Sequence, residues 1–202
     1  MKTSNFKPYF YQLVIAFIID IFLVNIFVSL ISVPFINTAN LNKLTDQNIQ
    51  IEKSYKNKEI GFKDYLFQSL DISYDINRNN GFVIIFELFI YIFYFIVFQF
   101  YNNGQTFGKK ILGIKVVQND EEDKLEMNNL VIRTLLINSI FFKILSFAII
   151  LFASKNFYIY SSLIITCFQY LFFIGTVIVI IFNKDSRGIH DFISNTKIVR
   201  CK

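Results

Sequence analysis

The chain of 202 residues has no tryptophan, one histidine and two cysteines. A single histidine needs further ligands before it can hold a metal, and none stand at ligand spacing around it. Cys167 lies in an apolar run and Cys201 is next to the last residue. Neither has metal-ligand spacing, and the pair does not make a disulfide framework. They read as a small buried hydrophobe and a tail thiol. Charge is also scarce. Charged residues are 17% of the chain against 54% hydrophobic, and mean hydropathy is +0.47. A soluble domain of this size rarely has so much apolar surface to hide. In place of the missing types stand 26 phenylalanines and many isoleucines, both favourable in hydrocarbon. The net charge of +5 does not point to nucleic acid, because the basic residues lie beside apolar runs and form no separate basic domain. Anionic lipid headgroups are the natural counter-charge.

The apolar runs predict an all-α integral membrane protein, a single domain over 1–202 with four transmembrane helices. The spans run from about Tyr9 to Phe35, Phe82 to Tyr101, Leu130 to Ala153 and Phe157 to Phe182. Each has roughly 20 residues or more, enough to cross ~30 Å of hydrocarbon. The first run is too long for the core of a signal peptide, and no A-x-A-like site follows it. Four spans put both termini on one side. That side carries eleven Lys/Arg, including Lys2, Lys7, Lys124 and Lys202; the other carries seven, six of them in the 36–81 loop. The excess assigns both termini to the cytoplasm and the chain to the cell membrane. The 36–81 loop balances six bases with six acids. Its middle, "EIGFKDYLFQSLDI", spaces Phe62, Tyr65, Leu66 and Leu70 as one face of an amphipathic helix on the outer surface. The alternative is a solvated linker. "NRNN" reads as a flexible turn.

Charges within spans cost roughly 2.5–3.5 kcal/mol on insertion scales, so they face the bundle interior or water. Asp20 lies in the first span, Glu87 near the outer end of the second and Lys143 in the third. Helical rise puts Asp20 roughly 15–17 Å, and Lys143 roughly 15–20 Å, from the same side. The matching depth predicts an Asp20–Lys143 ion pair, each partner keeping the other charged. Glu87 has a second reading, snorkelling to the outer interface. Three rows follow helical spacing: Glu87, Tyr91, Tyr94 and Tyr101; Ser139, Lys143 and Ser146; Ser162, Thr166, Gln169 and Thr176. Such rows either line a hydrated path or glue helices together.

Between spans two and three, "QTFGKKILG" places Phe107, Ile111 and Leu112 opposite Lys109 and Lys110. That is a short amphipathic connector helix at the cytoplasmic interface. Gly108 allows close packing and Gly113 ends the helix. "IKVVQ" is β-branched and reads as a strand, and "NDEED" as an acidic turn. "TKIVR" near the C-terminus matches it, so Ile114–Gln118 and Thr196–Arg200 are expected to pair as a small cytoplasmic ribbon. A two-stranded ribbon is marginal alone and must lean on the helices. It brings "GKK" towards "RGIHD". The His190–Asp191 pair lacks the nucleophile and oriented base of a hydrolase. Asp191 reads as a helix cap or as the partner of Lys109, Lys110 or Arg187. The chain is expected not to be an enzyme and to need no cofactor.

"QTFGKKILGIKVV", "NLVIRTLL" and "SRGIHDFISNTKIV" together resemble the RDD family of small bacterial membrane proteins. The shared pattern is T-x-G-K-x-x-x-G, an arginine opening the next span, and G-x-H-D-x-x-x-x-T. Thr106, Gly108, Lys109, Gly113, Arg133, Gly188, His190, Asp191 and Thr196 fall on it, Arg187 stands beside it in the quoted closing phrase, and Asp20 matches the family's aspartate in the first helix. The resemblance does not cover the 36–81 loop. Where the family has an arginine at the start of helix one, this chain has Gln12 and Leu13, which leaves Lys143 or Arg133 as substitutes. The resemblance implies transport of a small ligand, or exchange of a monovalent cation for protons with Asp20 as the exchanging carboxylate. Four spans are few for a transporter, so a homo-oligomer is implied. A scaffold or accessory subunit presenting the 36–81 loop is the alternative.

Overall fold

The computed structural model describes residues 7–36, 38–120 and 125–201. Lys2, Lys124 and Lys202, counted above, and residues 121–123 of the acidic turn lie outside the described residues. Helix α1 spans Phe10–Ser32 and runs into a 3₁₀ turn, Val33–Phe35. A helical hairpin follows, α2 (Thr38–Lys56) and α3 (Phe62–Asn79). Helix α4 covers Gly81–Tyr101. Then come the short α5 (Phe107–Ile111), strand β1 (Ile114–Gln118), α6 (Met127–Ile137), α7 (Ile140–Phe152), α8 (Lys155–Phe182), α9 (Ile189–Ile193) and β2 (Thr196–Arg200).

Among the described residues three helices are long and apolar enough to cross a membrane: Phe10–Phe35, Gly81–Tyr101 and Lys155–Phe182. The expected third span is not one helix. It breaks into α6 and α7, bent by 69°, and makes a fourth span only if the two halves are counted together. Ser139 at the break has φ 56°. A left-handed residue cannot continue a right-handed helix. The Asn138 amide turns back to Thr134 O at 3.2 Å, and the Lys143 amide starts the next helix on Ser139 O at 3.1 Å. Cys167, expected to be buried, is exposed on the apolar surface of α8.

Phe93–Phe98 within α4 is π-helical. The wider turn frees a backbone carbonyl, and Phe95 O accepts the Thr134 hydroxyl at 3.2 Å. This ties α4 to α6. Val24, Tyr91, Phe95 and Ile140 form the apolar core between α1, α4 and α7.

The 36–81 segment is mostly helix. The amphipathic helix expected in its middle is α3, and the linker reading fails for 38–56, which is α2. "NRNN" is not a turn: α3 runs through Asn79 and only Asn80 leaves it. The Tyr55 ring stacks on Tyr65 at 4.7 Å, closing the hairpin. Tyr74 packs with Ile150, Tyr158 and Ile159. Lys155 Nζ reaches Asp71 and Asp75, each at 2.9 Å. Arg78 donates to Tyr74 Oη at 2.7 Å and Ile150 O at 3.2 Å. The hairpin is therefore stapled to the α7–α8 turn.

At the opposite end β1 and β2 pair antiparallel, from Ile114 against Arg200 to Gln118 against Thr196, as the two β-rich runs predict. Ile114, Val116 and Thr196 are fully buried, so the ribbon does lean on the helices. We call this the ribbon end.

Candidate functional site

Asp20 is 1% exposed, on the inner face of α1. Its Oδ1 accepts from the Gly108 amide at 2.8 Å and from Tyr94 Oη at 2.7 Å; its Oδ2 accepts from Thr106 Oγ1 at 2.5 Å. Thr106 caps α5, so the start of this short helix, with its unpaired amides, faces the carboxylate. Gln12 Nε2 donates to Leu112 O, at the far end of α5, at 3.1 Å. Helix α5 thus lies along α1 between the levels of Asp20 and Gln12, eight residues or about 12 Å apart. The connector therefore packs lengthwise against α1. Gln12, standing where the family has arginine, fastens its upper end.

The approach of α5 to α1 depends on Gly108. A Cβ there would stand 2.3 Å from Ala16 O and 2.9 Å from Asp20 Oδ1. Lys109 Nζ lies 3.3 Å from Thr106 Oγ1. Its amine sits deep although its stem is partly exposed, and burial lowers its pKa to about 8. Arg133 pushes in the same direction, and Asp20 opposes both.

A second set of charges stands across the cluster. Arg133 and Asp191 form a fully buried ion pair. Thr196 Oγ1 is within 3.1 Å of both Arg133 NH1 and Asp191 Oδ1, and Ser194 Oγ lies 2.8 Å from Thr196 Oγ1. Asp191 Oδ2 accepts the Gly188 amide at 3.0 Å, capping α9. The base it holds is therefore Arg133, and not Lys109, Lys110 or the Arg187 side chain. Arg187 instead donates to the backbone carbonyls of Thr196 and Asp191 at 3.1 and 3.3 Å. His190 Nε2 lies 3.2 Å from Asp191 Oδ2. Burial first, then Arg133 and Lys109, hold the His190 pKa well below its usual range.

Asp20, Lys109, Arg133, His190 and Asp191 all line one cavity of about 60 Å³, room for water. Asn138 Oδ1, also on its wall, has no hydrogen-bond partner among the described residues. Among those residues no cluster of three or more His, Cys, Asp or Glu stands ready for a metal ion.

The family model for the RDD family matches residues 14–195. The chain belongs to the RDD family. Its apolar helices and this membership make it a membrane protein. No curated protein and no solved structure matches it. The positions that carry the RDD pattern are dispersed in sequence. Asp20, Thr106, Gly108, Lys109, Arg133, Gly188, His190, Asp191 and Thr196 gather at the ribbon end. Gly113, at φ +64°, ends α5 outside the cavity.

Lys143 does not meet Asp20. It pairs with Glu87 and stands 4.6 Å over the Tyr91 ring. Tyr91 Oη donates to Asn25 Oδ1 at 3.1 Å. The expected pairing rested on depth along a straight helix, and the bend at Asn138–Ser139 carries Lys143 away. Glu87 is therefore paired rather than snorkelling alone. The polar rows are also interrupted. Tyr101 is 79% exposed, because the π-helical stretch turns the end of α4 off the common face. Thr166 is exposed, and Ser162 satisfies itself on Ile159 O at 2.9 Å. Nothing in the sequence marks Asn25 or Asn138, or the role of Gln12. They are uncharged, and only their positions in the assembled bundle mark them.

Proposed function

We propose that this RDD protein exchanges a monovalent cation for protons across the cell membrane, at the cavity between Asp20 and Arg133. The observation that carries this reading is that Asp20, Asp191, Lys109 and Arg133 line one buried cavity, where burial lowers the Lys109 pKa to about 8. Lys109 balances the Asp20 charge while protonated. When it releases its proton, a monovalent cation takes its place beside Asp20. Hard cations take oxygen ligands. Asn138 Oδ1 is one, and the Thr106 and Tyr94 hydroxyls turn to present lone pairs. Separate polar contacts, Tyr94 with Asp20, Tyr91 with Asn25 and Lys143 with Glu87, support a polar route towards the hairpin end. In this reading α6 and α7 together form the fourth span. The Lys/Arg excess then sets both termini and the ribbon on the cytoplasmic side, against anionic lipid headgroups. The working unit is a homo-oligomer, and no enzymatic step is involved.

The test is collapse of a pH gradient in vesicles carrying the purified protein, on adding Li⁺, Na⁺, K⁺ or Rb⁺. Wild type should respond to at least one cation, and Asp20→Asn and Lys109→Met should not. A wild type silent to all four removes the exchange reading. A scaffold role then stands, favoured by the three hydrogen bonds that hold Asp20 and by the firmly docked α2–α3 hairpin.

A further inference from the structure

On the flank of the bundle an apolar groove of 140 Å³ opens between α1 and α8. Phe10, Val14 and Phe173 form its exposed lips. It exists because α6 and α7 part at the bend, where Ser139 lines it. At its inner end sit two buried polar atoms, His190 Nδ1 and Thr176 Oγ1, without hydrogen-bond partners among the described residues. Their side chains are neighbours: a Cβ on Gly188 would lie 2.9 Å from both His190 Nδ1 and Thr176 Cγ2. Buried polar atoms without partners are costly, so their presence at the end of an apolar groove asks what satisfies them.

The chemistry of His190 narrows the answer. Its Nε2 faces the Asp191 carboxylate, which can only accept, so the ring proton sits on Nε2 and Nδ1 offers a lone pair. The group that fits must donate a hydrogen bond. An anion would face that lone pair, and a cation would meet Arg133 and Lys109 behind the ring. Thr176 can donate as well as accept. A neutral hydroxyl satisfies both atoms. The groove's Leu13 and Phe17 lie about 5–10 Å along α1 from its start, the depth of the boundary between headgroups and acyl chains.

We propose that this groove binds an uncharged, hydroxyl-headed amphiphile from the bilayer, its hydroxyl donating to His190 Nδ1 and accepting from Thr176 Oγ1, its chain lying between α1 and α8. His190 forms the wall shared with the polar cavity. The bound hydroxyl therefore touches the ring whose other nitrogen faces Asp191, and reports to the Arg133 pair. The proposal stands independently of cation exchange, because binding is read without transport.

The experiment uses the full chain in lipid nanodiscs with a diazirine-bearing hexadecanol, and its methyl ether as the analogue that cannot donate. Labelled residues are mapped by mass spectrometry. The alcohol should label α1 and α8 residues at the groove, and the ether should label them about tenfold less. Thr176→Val, which keeps the side-chain shape, should weaken labelling by the alcohol. Val14→Trp should block it by filling the mouth. Equal labelling by alcohol and ether overturns the proposal, as does unchanged labelling of Val14→Trp. Absence of labelling at the groove overturns it too, and leaves water as the partner of the two atoms.

Discussion

The Gly108 amide donates to Asp20 Oδ1 at 2.8 Å, in a space where a Cβ would stand 2.3 Å from Ala16 O. One hydrogen bond and one missing methyl group thus set the distance between α5 and α1. Gly108→Ala must push the helices apart and lengthen the bonds to Asp20. Overpacking of this kind costs about 1–3 kcal/mol, more than the roughly 1 kcal/mol that alanine gains in helix propensity. Thermal unfolding in detergent should show Gly108→Ala well below wild type. Gly61→Ala, whose Cβ would meet only Asp64 Oδ2 at 3.7 Å at the N-cap of α3, should lose less, about 0.5–1 kcal/mol for the poorer cap. Equal melting of both variants would show that α5 is not held as described.

Arg133 and Asp191 are 3% and 2% exposed in their side chains. Removing one partner of a buried pair leaves an uncompensated charge and costs about 3–5 kcal/mol. Arg133→Met and Asp191→Leu should each destabilise by that order, and the double variant by less than the sum. Strict additivity in a double-mutant cycle would mean that the pair contributes no coupling. Asp191→Leu also removes the cap on the Gly188 amide, so it should be the worse of the two single variants.

Much of this architecture is legible in the residues. The two β-branched runs locate the ribbon and its partner strands, because only five residues on each side can pair. The spacing of Phe62, Tyr65, Leu66 and Leu70 reveals α3. Helix α2 is not visible in the same way. Its polar sequence reads as a linker, and packing against α3 makes it a helix. The break at Asn138–Ser139 contains neither proline nor glycine, so hydropathy passes over it. That one left-handed serine is why depth along a straight helix fails to place Lys143. The π-helical turn similarly displaced Tyr101. The motif residues of the cavity are recognisable as a set, but their partners depend on how α5 packs against α1, which no local pattern encodes.

The revised pairing of Lys143 is testable by coupling. Lys143→Met and Glu87→Gln should interact in a double-mutant cycle by roughly 0.5 kcal/mol or more, since the two groups touch. Lys143→Met and Asp20→Asn should be additive within about 0.5 kcal/mol, as expected for sites without shared partners. The reverse pattern, coupling to Asp20 and none to Glu87, would restore the straight-helix pairing and refute the bend.

Lys109 supplies a pH signature. Burial lowers its pKa to about 8 from an ordinary value of 10.5. Below about pH 8 the amine is charged in both folded and unfolded chains, and the folded state bears the whole cost of burying that charge. Between about 8 and 10.5 the unfolded chain holds the proton and the folded protein does not. Stability therefore rises with pH across that window. Tyrosines titrate at its upper end, so the informative quantity is the difference between wild type and Lys109→Met. Denaturant unfolding of both proteins at pH 7 and pH 9.5 should show wild type gaining stability relative to Lys109→Met at the higher pH. A constant difference would place the amine in water, and would remove the proton-releasing group from the cavity on which the exchange reading depends.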